Sequence, residues 1–351
     1  MRVGFFCASL LLVAAQPFAA WGQGLVSQAG VQNDALSLLQ KSVAAARHLN
    51  YVGTIVHQTD GHVETSRIVH KVDPSGEHER LEVLDGTPRE VIRNNDEVTC
   101  YLSGGKTVNT GKRQNKKSFP ALLPESLSNL ADSYVIELGG RERVAGYECQ
   151  VIVLKPKDDM RYGHKLWVDG NSGLLLKAMV TEGGKTVEQF LFTQITIGGN
   201  IDKAMLKPKY SGKNAAQTVG GNAPAKPEEA SPPGASALNS PVQLGWQAKN
   251  LPPGFKKIME MKRNLPGKPS PVGHLVYSDG LAAVSVFIEP TAQMYPAAPS
   301  VPPLQGLSPG RGAINVFTRT VGDSLVTVVG ETPQATVMQI GNSVFNSASG
   351  K

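Results

Sequence analysis

The chain has 351 residues, with 35 Lys and Arg against 29 Asp and Glu and a formal net charge of +6. This length is too great for one small domain and suits two. The mild basic excess favours acidic partners such as anionic lipid head groups or an acidic peptide. No Lys/Arg run is interleaved with aromatic residues, so nothing points to nucleic acid as a partner.

The first 22 residues have the layout of a secretory signal peptide. A positive start at Arg2 precedes an apolar run over residues 5–15, and small residues follow at Ala20 and Gly22. The apolar run is short for a membrane span, which favours a cleaved signal over an uncleaved anchor. We therefore expect residues 1–22 to be removed and the mature protein to lie outside the cytoplasm.

The mature chain is predicted to open with a helix capped by Asn33-Asp34, because apolar residues then recur at helical spacing. From Tyr51 the apolar period changes to two, which predicts a meander of antiparallel strands separated by Gly, Pro and Asp turns. These first strands cover residues 51–58, 62–72, 77–84, 89–93 and 97–102.

Residues 103–118 form a polar loop, and a second amphipathic helix is predicted over 123–134. Further strands are predicted at residues 135–138, 142–144, 147–155, 164–168, 174–181 and 187–197. A helix, a run of strands, a short helix and more strands predict a curved antiparallel sheet with helices on its concave side, over residues 32–210.

Residues 211–241 are dominated by Ala, Pro, Gly, Ser and Asn and predict an interdomain linker. A second domain follows over 242–346, with strands at 274–278, 281–289, 313–321 and 324–330 and a final helix starting at Thr332-Pro333. Residues 292–312 are predicted as a Pro-rich loop. The fold class is α+β: a curved antiparallel half-barrel with helices, then a smaller sheet-plus-helix domain.

Removal of the signal leaves two cysteines, Cys100 and Cys149. An even pair in an exported protein favours a disulfide. Each cysteine lies in an alternating strand pattern, so two separate buried thiols are the alternative.

No catalytic motif is present. Ser285 lies within a strand pattern, neither cysteine has a histidine beside it, and Asp158-Asp159 with Arg161 form a turn in which solvated charge is a sufficient explanation. We expect a protein that is not an enzyme and has no cofactor. Five histidines occur early but show no helical i, i+4 spacing, so surface or structural roles are favoured, although cross-strand pairing leaves metal binding open: His48, His57, His62, His70 and His78.

Two features suit binding. The predicted loop carries a basic cluster that could meet anionic lipid head groups or an acidic protein segment, with an ordinary solvated loop as the alternative: Lys112, Arg113, Lys116 and Lys117. The concave face of the sheet could leave an apolar cavity for an acyl chain or a hydrophobic peptide, unless side chains fill it.

Several motifs together resemble the RseB/MucB family of envelope-stress regulators. In the first domain, residues 81–93 resemble the family's LDG-x-PREV-x-R segment, and residues 165–177 resemble the next strand pair. In the second domain, Trp246 with residues 251–255, residues 274–287 and residues 312–331 resemble its opening and two hairpins. The resemblance covers nearly the whole mature chain.

The resemblance implies more than the residues show. It implies an N-terminal half-barrel like the carriers LolA and LppX, and binding of the periplasmic part of an RseA/MucA-type anti-sigma factor, which is shielded from the first regulated protease. It also implies that lipopolysaccharide or a related lipid releases this partner. Candidate partner contacts are Arg80, Arg89, Trp246, Phe255 and Tyr277.

Two further points stay open in the sequence. A periplasmic lipid or lipoprotein carrier is the alternative function, although it would require only the first domain. Apolar residues at predicted strand edges are compatible with a homodimer, and nothing fixes the oligomeric state.

Overall fold

The computed structural model describes residues 28–102, 106–112, 118–210, 243–265, 268, 270–291, 305–308 and 310–347. The predicted signal peptide, the predicted linker and most of the predicted basic cluster lie outside these ranges. Among the described residues, no helix is both long and apolar enough to cross a membrane.

The N-terminal sheet contains eleven antiparallel strands in the order β6-β5-β4-β3-β2-β1-β11-β10-β9-β8-β7. Strands β6 and β7 form its two edges, so the sheet is not closed, as predicted. The strands are β1 (Tyr51–Thr59), β2 (His62–Asp73), β3 (Gly76–Val83), β4 (Arg89–Asn94), β5 (Glu97–Leu102), β6 (Lys106–Lys112), β7 (Tyr134–Val144), β8 (Tyr147–Pro156), β9 (Gly163–Asp169), β10 (Leu175–Glu182) and β11 (Lys185–Ile197).

The sheet curves around one apolar core. Alternate residues of β1, Tyr51 and Ile55 among them, are buried in the same core as residues of helix α1 (Gln28–His48). Helix α1 packs on β7 and β9 and contributes Leu39, which is fully buried. The curvature brings the start of β8 back towards β11, where the Tyr147 hydroxyl donates to the Ile195 carbonyl at 3.4 Å.

Both predicted helices of this domain differ from the structure. Helix α1 begins at Gln28, before the predicted cap at Asn33-Asp34. Of the helix predicted over 123–134, only the single turn α2 (Leu130–Ser133) forms. Leu123 and Leu127 are nevertheless buried in the core, so their spacing reflected burial of an irregular segment. Pro124 disfavours helical geometry at Leu123, the residue before it, where the predicted helix would start.

The predicted polar loop over 103–118 contains a strand. Strand β6 pairs with β5, with Cys100 opposite Val108 and Leu102 opposite Lys106. Its sequence, KTVNTGK, has almost no apolar alternation, and charged residues, Lys in particular, are common on edge strands, where they discourage pairing with another chain.

The C-terminal domain has a six-stranded sheet in the order β13-β14-β15-β18-β17-β16 and a separate two-stranded pair, β12-β19. Helix α3 (Gln334–Ser343) packs on β17 and β18. The strands are β12 (Trp246–Ala248), β13 (Lys256–Arg263), β14 (Val272–Ser278), β15 (Ala283–Pro290), β16 (Gln305–Ser308), β17 (Asn315–Val321), β18 (Ser324–Gly330) and β19 (Val344–Asn346).

The sequence predicted the four inner strands of this sheet but not its periphery. Edge strand β13 has the charge-rich sequence KKIMEMKR, and β16 lies within the predicted Pro-rich loop. Strands β12 and β19 have three residues each, which is too short for a period-two pattern to be read.

Candidate functional site

The two domains meet at the loop between β8 and β9. Arg161 lies in this loop with a fully buried side chain. Its Nη1 donates to Asp279 Oδ2 at 2.6 Å, and its Nη2 donates to the Pro253 carbonyl at 2.6 Å, both in the C-terminal domain. Asp158 of the same loop accepts from Arg161 Nε at 2.9 Å and from Nη2 at 3.0 Å. Arg161 is therefore hydrogen-bonded to both domains at once.

The β14–β15 turn orients the Asp279 carboxylate towards Arg161. Its Oδ1 accepts from the backbone N–H groups of Leu281 at 2.9 Å and Ala282 at 2.7 Å. Gly280 adopts φ +102°, a conformation that favours glycine and closes the turn. With Oδ1 bound to its own turn, Oδ2 points to Arg161.

Two aromatic rings flank the Arg161 guanidinium, Tyr134 at 6.0 Å and Phe255 at 5.6 Å from its carbon. These distances are at the outer range of cation–π attraction. Burial, followed by the negative charge of Asp279, raises the pKa of Tyr134. Its hydroxyl is buried and has no hydrogen-bond partner among the described residues, so it stays neutral and free to donate.

A cavity of about 240 Å³ opens beside the ion pair, between the two domains. This volume is below the roughly 300–1,000 Å³ of typical small-molecule sites. The cavity suits one or two side chains of a partner better than a whole lipid. It is lined by Pro124, Ser126, Ser128, Asn129, Leu130, Ser133, Tyr134, Asp279, Gly280 and Leu281.

A second set of contacts joins the domains through neighbours of Arg161. Asn315 Nδ2 donates to the Tyr162 hydroxyl at 2.9 Å, and the Thr336 hydroxyl donates to the Met160 carbonyl at 2.6 Å. Tyr162 packs with Val180 and Ala313 in a small apolar cluster. Burial, with a contribution from the charge of Glu182, raises the pKa of Tyr162 to about 12. The loop is thus built into the interface by polar and apolar contacts together.

The sequence did not single out Arg161 as a site residue. The interpretation of residues 158–161 as a solvated charged turn is wrong for Arg161, whose partners come from the other domain. The aromatic residue next to it, Tyr162, was a local sign that this turn is buried. No spacing within the chain relates Arg161 to Asp279, which lies 118 residues away.

Arg80 was predicted as an exposed contact, and this is wrong because the structure buries it. Its Nε donates to Glu90 at 2.9 Å and its Nη2 to Glu82 at 2.7 Å. Burial acts to raise the pKa of Glu82, but the hydrogen bond from Lys209 and the charge of Arg80 outweigh it and lower the pKa. Arg80 thus joins Glu82 and Glu90 on the face of the sheet that residues 201–210 cover, and it also donates to the Met205 carbonyl of that segment.

Phe255 and Tyr277 were candidate partner contacts in a patch together with Trp246, with a place in the core as the alternative, and the structure buries both in the C-terminal core. The Tyr277 hydroxyl accepts from the Ala248 backbone N–H at 2.9 Å. Trp246 is partly buried against the same core. The patch is therefore not present on the described surface, because its aromatic residues are used inside the domain.

Arg89 and the basic cluster remain predictions. The Arg89 side chain is half exposed, and its Nη2 donates to both oxygens of Glu64, at 2.8 and 2.9 Å. Lys112 is the last residue of strand β6, and the structure does not describe its side chain. The rest of the cluster lies outside the described residues: Arg113, Lys116 and Lys117.

The predicted disulfide does not form. Cys100 on β5 and Cys149 on β8 are both free thiols, and seven strands lie between β5 and β8 in the sheet order. At about 4.8 Å per strand, their Cα atoms are far beyond the roughly 7 Å limit for a disulfide. The alternative of two separate thiols is the one the structure adopts.

The comparisons with known proteins match both domains. The family model for the MucB/RseB N-terminal domain matches residues 34–210, and that for the MucB/RseB C-terminal domain matches residues 240–345. The chain belongs to the MucB/RseB family. The resemblance inferred from the sequence is confirmed.

Named MucB/RseB relatives cover most of the chain. The sigma factor AlgU regulatory protein MucB of Pseudomonas aeruginosa is 33% identical over 89% of this chain and 90% of its own length. The sigma-E factor regulatory protein RseB of Escherichia coli K12 is 27% identical over 88% of this chain and 89% of its own. The solved complex of Pseudomonas aeruginosa MucA/MucB contains a chain 30% identical, with a TM-score of 0.66 over 89% of this chain and 99% of that one.

Proposed function

We propose that this protein binds the periplasmic part of a membrane-spanning anti-sigma factor of the RseA/MucA type. It would act in the periplasm after removal of residues 1–22, shield the anti-sigma factor from regulated proteolysis and so repress the envelope-stress response. The observation that carries the proposal is similarity across both domains to MucB, which has been solved in complex with MucA(peri).

The interdomain cavity supports this proposal. Its walls come from residues 124–134 of the N-terminal domain and residues 279–281 of the C-terminal domain. A peptide seated there would contact both domains, so partner binding would require the second domain. A pure carrier of lipid or lipoprotein would need only the half-barrel, yet here the buried Arg161 of the first domain depends on partners from the second.

The proposed role is binding without catalysis. Burial, with a contribution from Asp169, raises the pKa of Cys149 to about 12, so this thiol is not a nucleophile at neutral pH. The other described cysteine, Cys100, lies on β5 with no histidine directly opposite it, since its cross-strand neighbours are Val91 and Val108.

Lipid regulation is the second part of the proposal. A lipid can release the partner only if it binds the partner-free form more tightly than the complex. The basic cluster at Lys112, Arg113, Lys116 and Lys117 is the proposed contact for its anionic head group. The structure describes none of these side chains, so this part rests on the sequence.

The test is calorimetric binding of mature protein, residues 23–351, to the periplasmic segment of the host's anti-sigma factor, with and without lipopolysaccharide. We expect tight binding that lipopolysaccharide weakens. Ser126→Trp would fill the cavity and should weaken partner binding at least tenfold, whereas Asn200→Trp, an exposed control after β11, should leave it unchanged. No binding at micromolar concentration, together with bound lipid, would favour the lipid or lipoprotein carrier.

A further inference from the structure

A histidine and two glutamates meet inside the N-terminal sheet, far along the sheet from Arg161. His70 of β2 lies directly opposite Glu79 of β3, and Glu77 is two residues earlier on β3. One nitrogen of His70 and one carboxylate oxygen from each glutamate all lie within 4.8 Å of one another. His70 is 0% exposed and Glu79 is 6% exposed, so at least two of the three groups are shielded from water.

The His70 ring is oriented by its neighbours. Its Nδ1 lies 2.8 Å from the Leu49 carbonyl, which can only accept, so Nδ1 carries a proton. Tyr51 stacks on the ring at 4.5 Å with an interplanar angle of 8°. In the neutral ring the lone pair is then on Nε2, which faces Glu77 Oε1 at 3.2 Å. Two acceptors that face each other need either a second proton on the ring or a cation between them.

The two glutamate side chains differ in exposure, and the more exposed one, Glu77, gives an ion access to the cluster. Arg93 Nη1 donates to Glu79 Oε1 at 2.6 Å and fixes that carboxylate from behind. The Glu77 side chain is 26% exposed and lies next to the β2–β3 turn. Glu79 and His70 are therefore rigid, and Glu77 lies where solvent reaches the cluster.

We propose that His70 Nε2, Glu77 and Glu79 bind one divalent zinc ion, with water as the fourth ligand. Imidazole nitrogen and carboxylate oxygen bind zinc at about 2.0–2.2 Å, which places tetrahedral ligand atoms roughly 3.4 Å apart. The three ligand atoms lie within 4.8 Å of one another and His70 Nε2 is already 3.2 Å from Glu77 Oε1, so side-chain adjustments of roughly 1 Å reach this separation. The hydrogen bond from His70 Nδ1 to the Leu49 carbonyl and the one from Arg93 to Glu79 would hold two of the ligands in place. Known zinc sites orient their ligands by hydrogen bonds of this kind.

The ion would join strands β2 and β3 to the end of helix α1. His70 contacts the Leu49 carbonyl, one residue beyond α1, so a metal on its other nitrogen ties the helix end to the β2–β3 hairpin. Because the ion would bind the folded chain and not the unfolded one, it should raise stability with concentration. This role is independent of the interdomain cavity and of the proposed partner.

The test uses tag-free mature protein and Zn²⁺ in competition with a chromophoric chelator. We expect one ion per chain and a thermal unfolding midpoint that rises with Zn²⁺ concentration. Glu77→Gln, at the half-buried ligand, should lower affinity at least tenfold and abolish the thermal shift. Glu77→Asp, which keeps a carboxylate, should bind with intermediate affinity and checks that the effect is not misfolding.

Glu188→Gln is the matched control, because His57 and Glu188 form another histidine–glutamate pair, 2.6 Å apart, which no third ligand joins in the described part of the chain. This variant should bind zinc like the parent protein. Absence of binding in the parent would mean that His70 is only a hydrogen-bond partner of Glu77, and the proposal would be wrong. Equal affinity in the parent and in Glu77→Gln would overturn it as well.

Discussion

Arg161 and Asp279 form an ion pair across the two domains, with Nη1 2.6 Å from Oδ2 and side chains that are 0% and 1% exposed. Neither charge has access to water, so each depends on the other and on neighbouring hydrogen bonds. Removal of one member of such a pair leaves an uncompensated buried charge.

Asp279→Ala should therefore lower the free energy of unfolding by about 3–5 kcal/mol. Denaturant unfolding followed by circular dichroism measures this difference. The control is Lys155→Ala, which removes a solvent-exposed ion pair with Glu137 and should change the free energy of unfolding by less than about 1 kcal/mol. Equal effects of the two substitutions would contradict the assignment of Arg161–Asp279 as the main polar link.

Two glycines in helices should respond to alanine in opposite ways. A Cβ on Gly341 of α3 would lie 2.4 Å from Phe317 Cδ1, whereas a Cβ on Gly30 of α1 meets nothing within 4 Å. Gly341→Ala should destabilise the protein by about 1–3 kcal/mol through overpacking. Gly30→Ala should be neutral or slightly stabilising, because alanine favours helix. Thermal unfolding midpoints of both variants decide this, and a gain for Gly341→Ala would show that α3 moves freely from β17.

Stability should fall in mild acid because of His274. This residue is buried on β14, stacked at 4.5 Å on Phe287, and neither ring nitrogen has a hydrogen-bond partner among the described residues. Burial, with a contribution from the charge of Arg263, lowers its pKa to about 4. Between pH 6.5 and about 4 the unfolded chain binds a proton that the folded chain does not, so protonation favours unfolding.

Denaturant unfolding of the parent and of His274→Phe across pH 4–7 isolates this contribution. The parent should lose up to about 1.4 kcal/mol per pH unit more than the variant as pH falls through this window. Stability that depends on pH equally in both proteins would mean that His274 titrates normally in the folded state.

The cysteines should remain reduced and differ in reactivity. In folded protein at pH 8, iodoacetamide should label the half-buried Cys100 well before Cys149, whose thiol is buried with a pKa of about 12. Peptide mass spectrometry after timed labelling measures both rates, and unfolding in urea should make the rates converge. A peptide that contains both cysteines in disulfide linkage would contradict the sheet order.

The inner strands of both sheets could be predicted from the sequence, because period-two burial between turn residues determines them locally. Strand β1, with buried Tyr51 and Ile55 alternating along it, is an example. Edge strands β6 and β13 could not be predicted in this way. Both are edge strands, where charged residues such as Lys discourage pairing with another chain and interrupt the apolar alternation.

The contacts of the candidate site could not be predicted from local sequence periodicity. Arg161 and Asp279 become neighbours only when two separately folded sheets pack together, and no local pattern encodes that packing. Arg80 shows the opposite error: its strand position was predicted, but residues 201–210 cover that face and bury it. Local periodicity gives the faces of a strand and does not say which later segment covers them.

The strand order of the N-terminal sheet also divides it into two wings. Strands β1–β6 and β7–β11 are each continuous in sequence, and within the sheet they meet only where β1 pairs with β11. Helix α1 belongs in sequence to the first wing but packs on β7 and β9 of the second. A chain cut between β6 and β7 would thus keep all other strand pairs within one fragment. The two fragments would share the β1–β11 pairing, the packing of α1 on β7 and β9, and the contacts of residues 201–210 with β2 and β3.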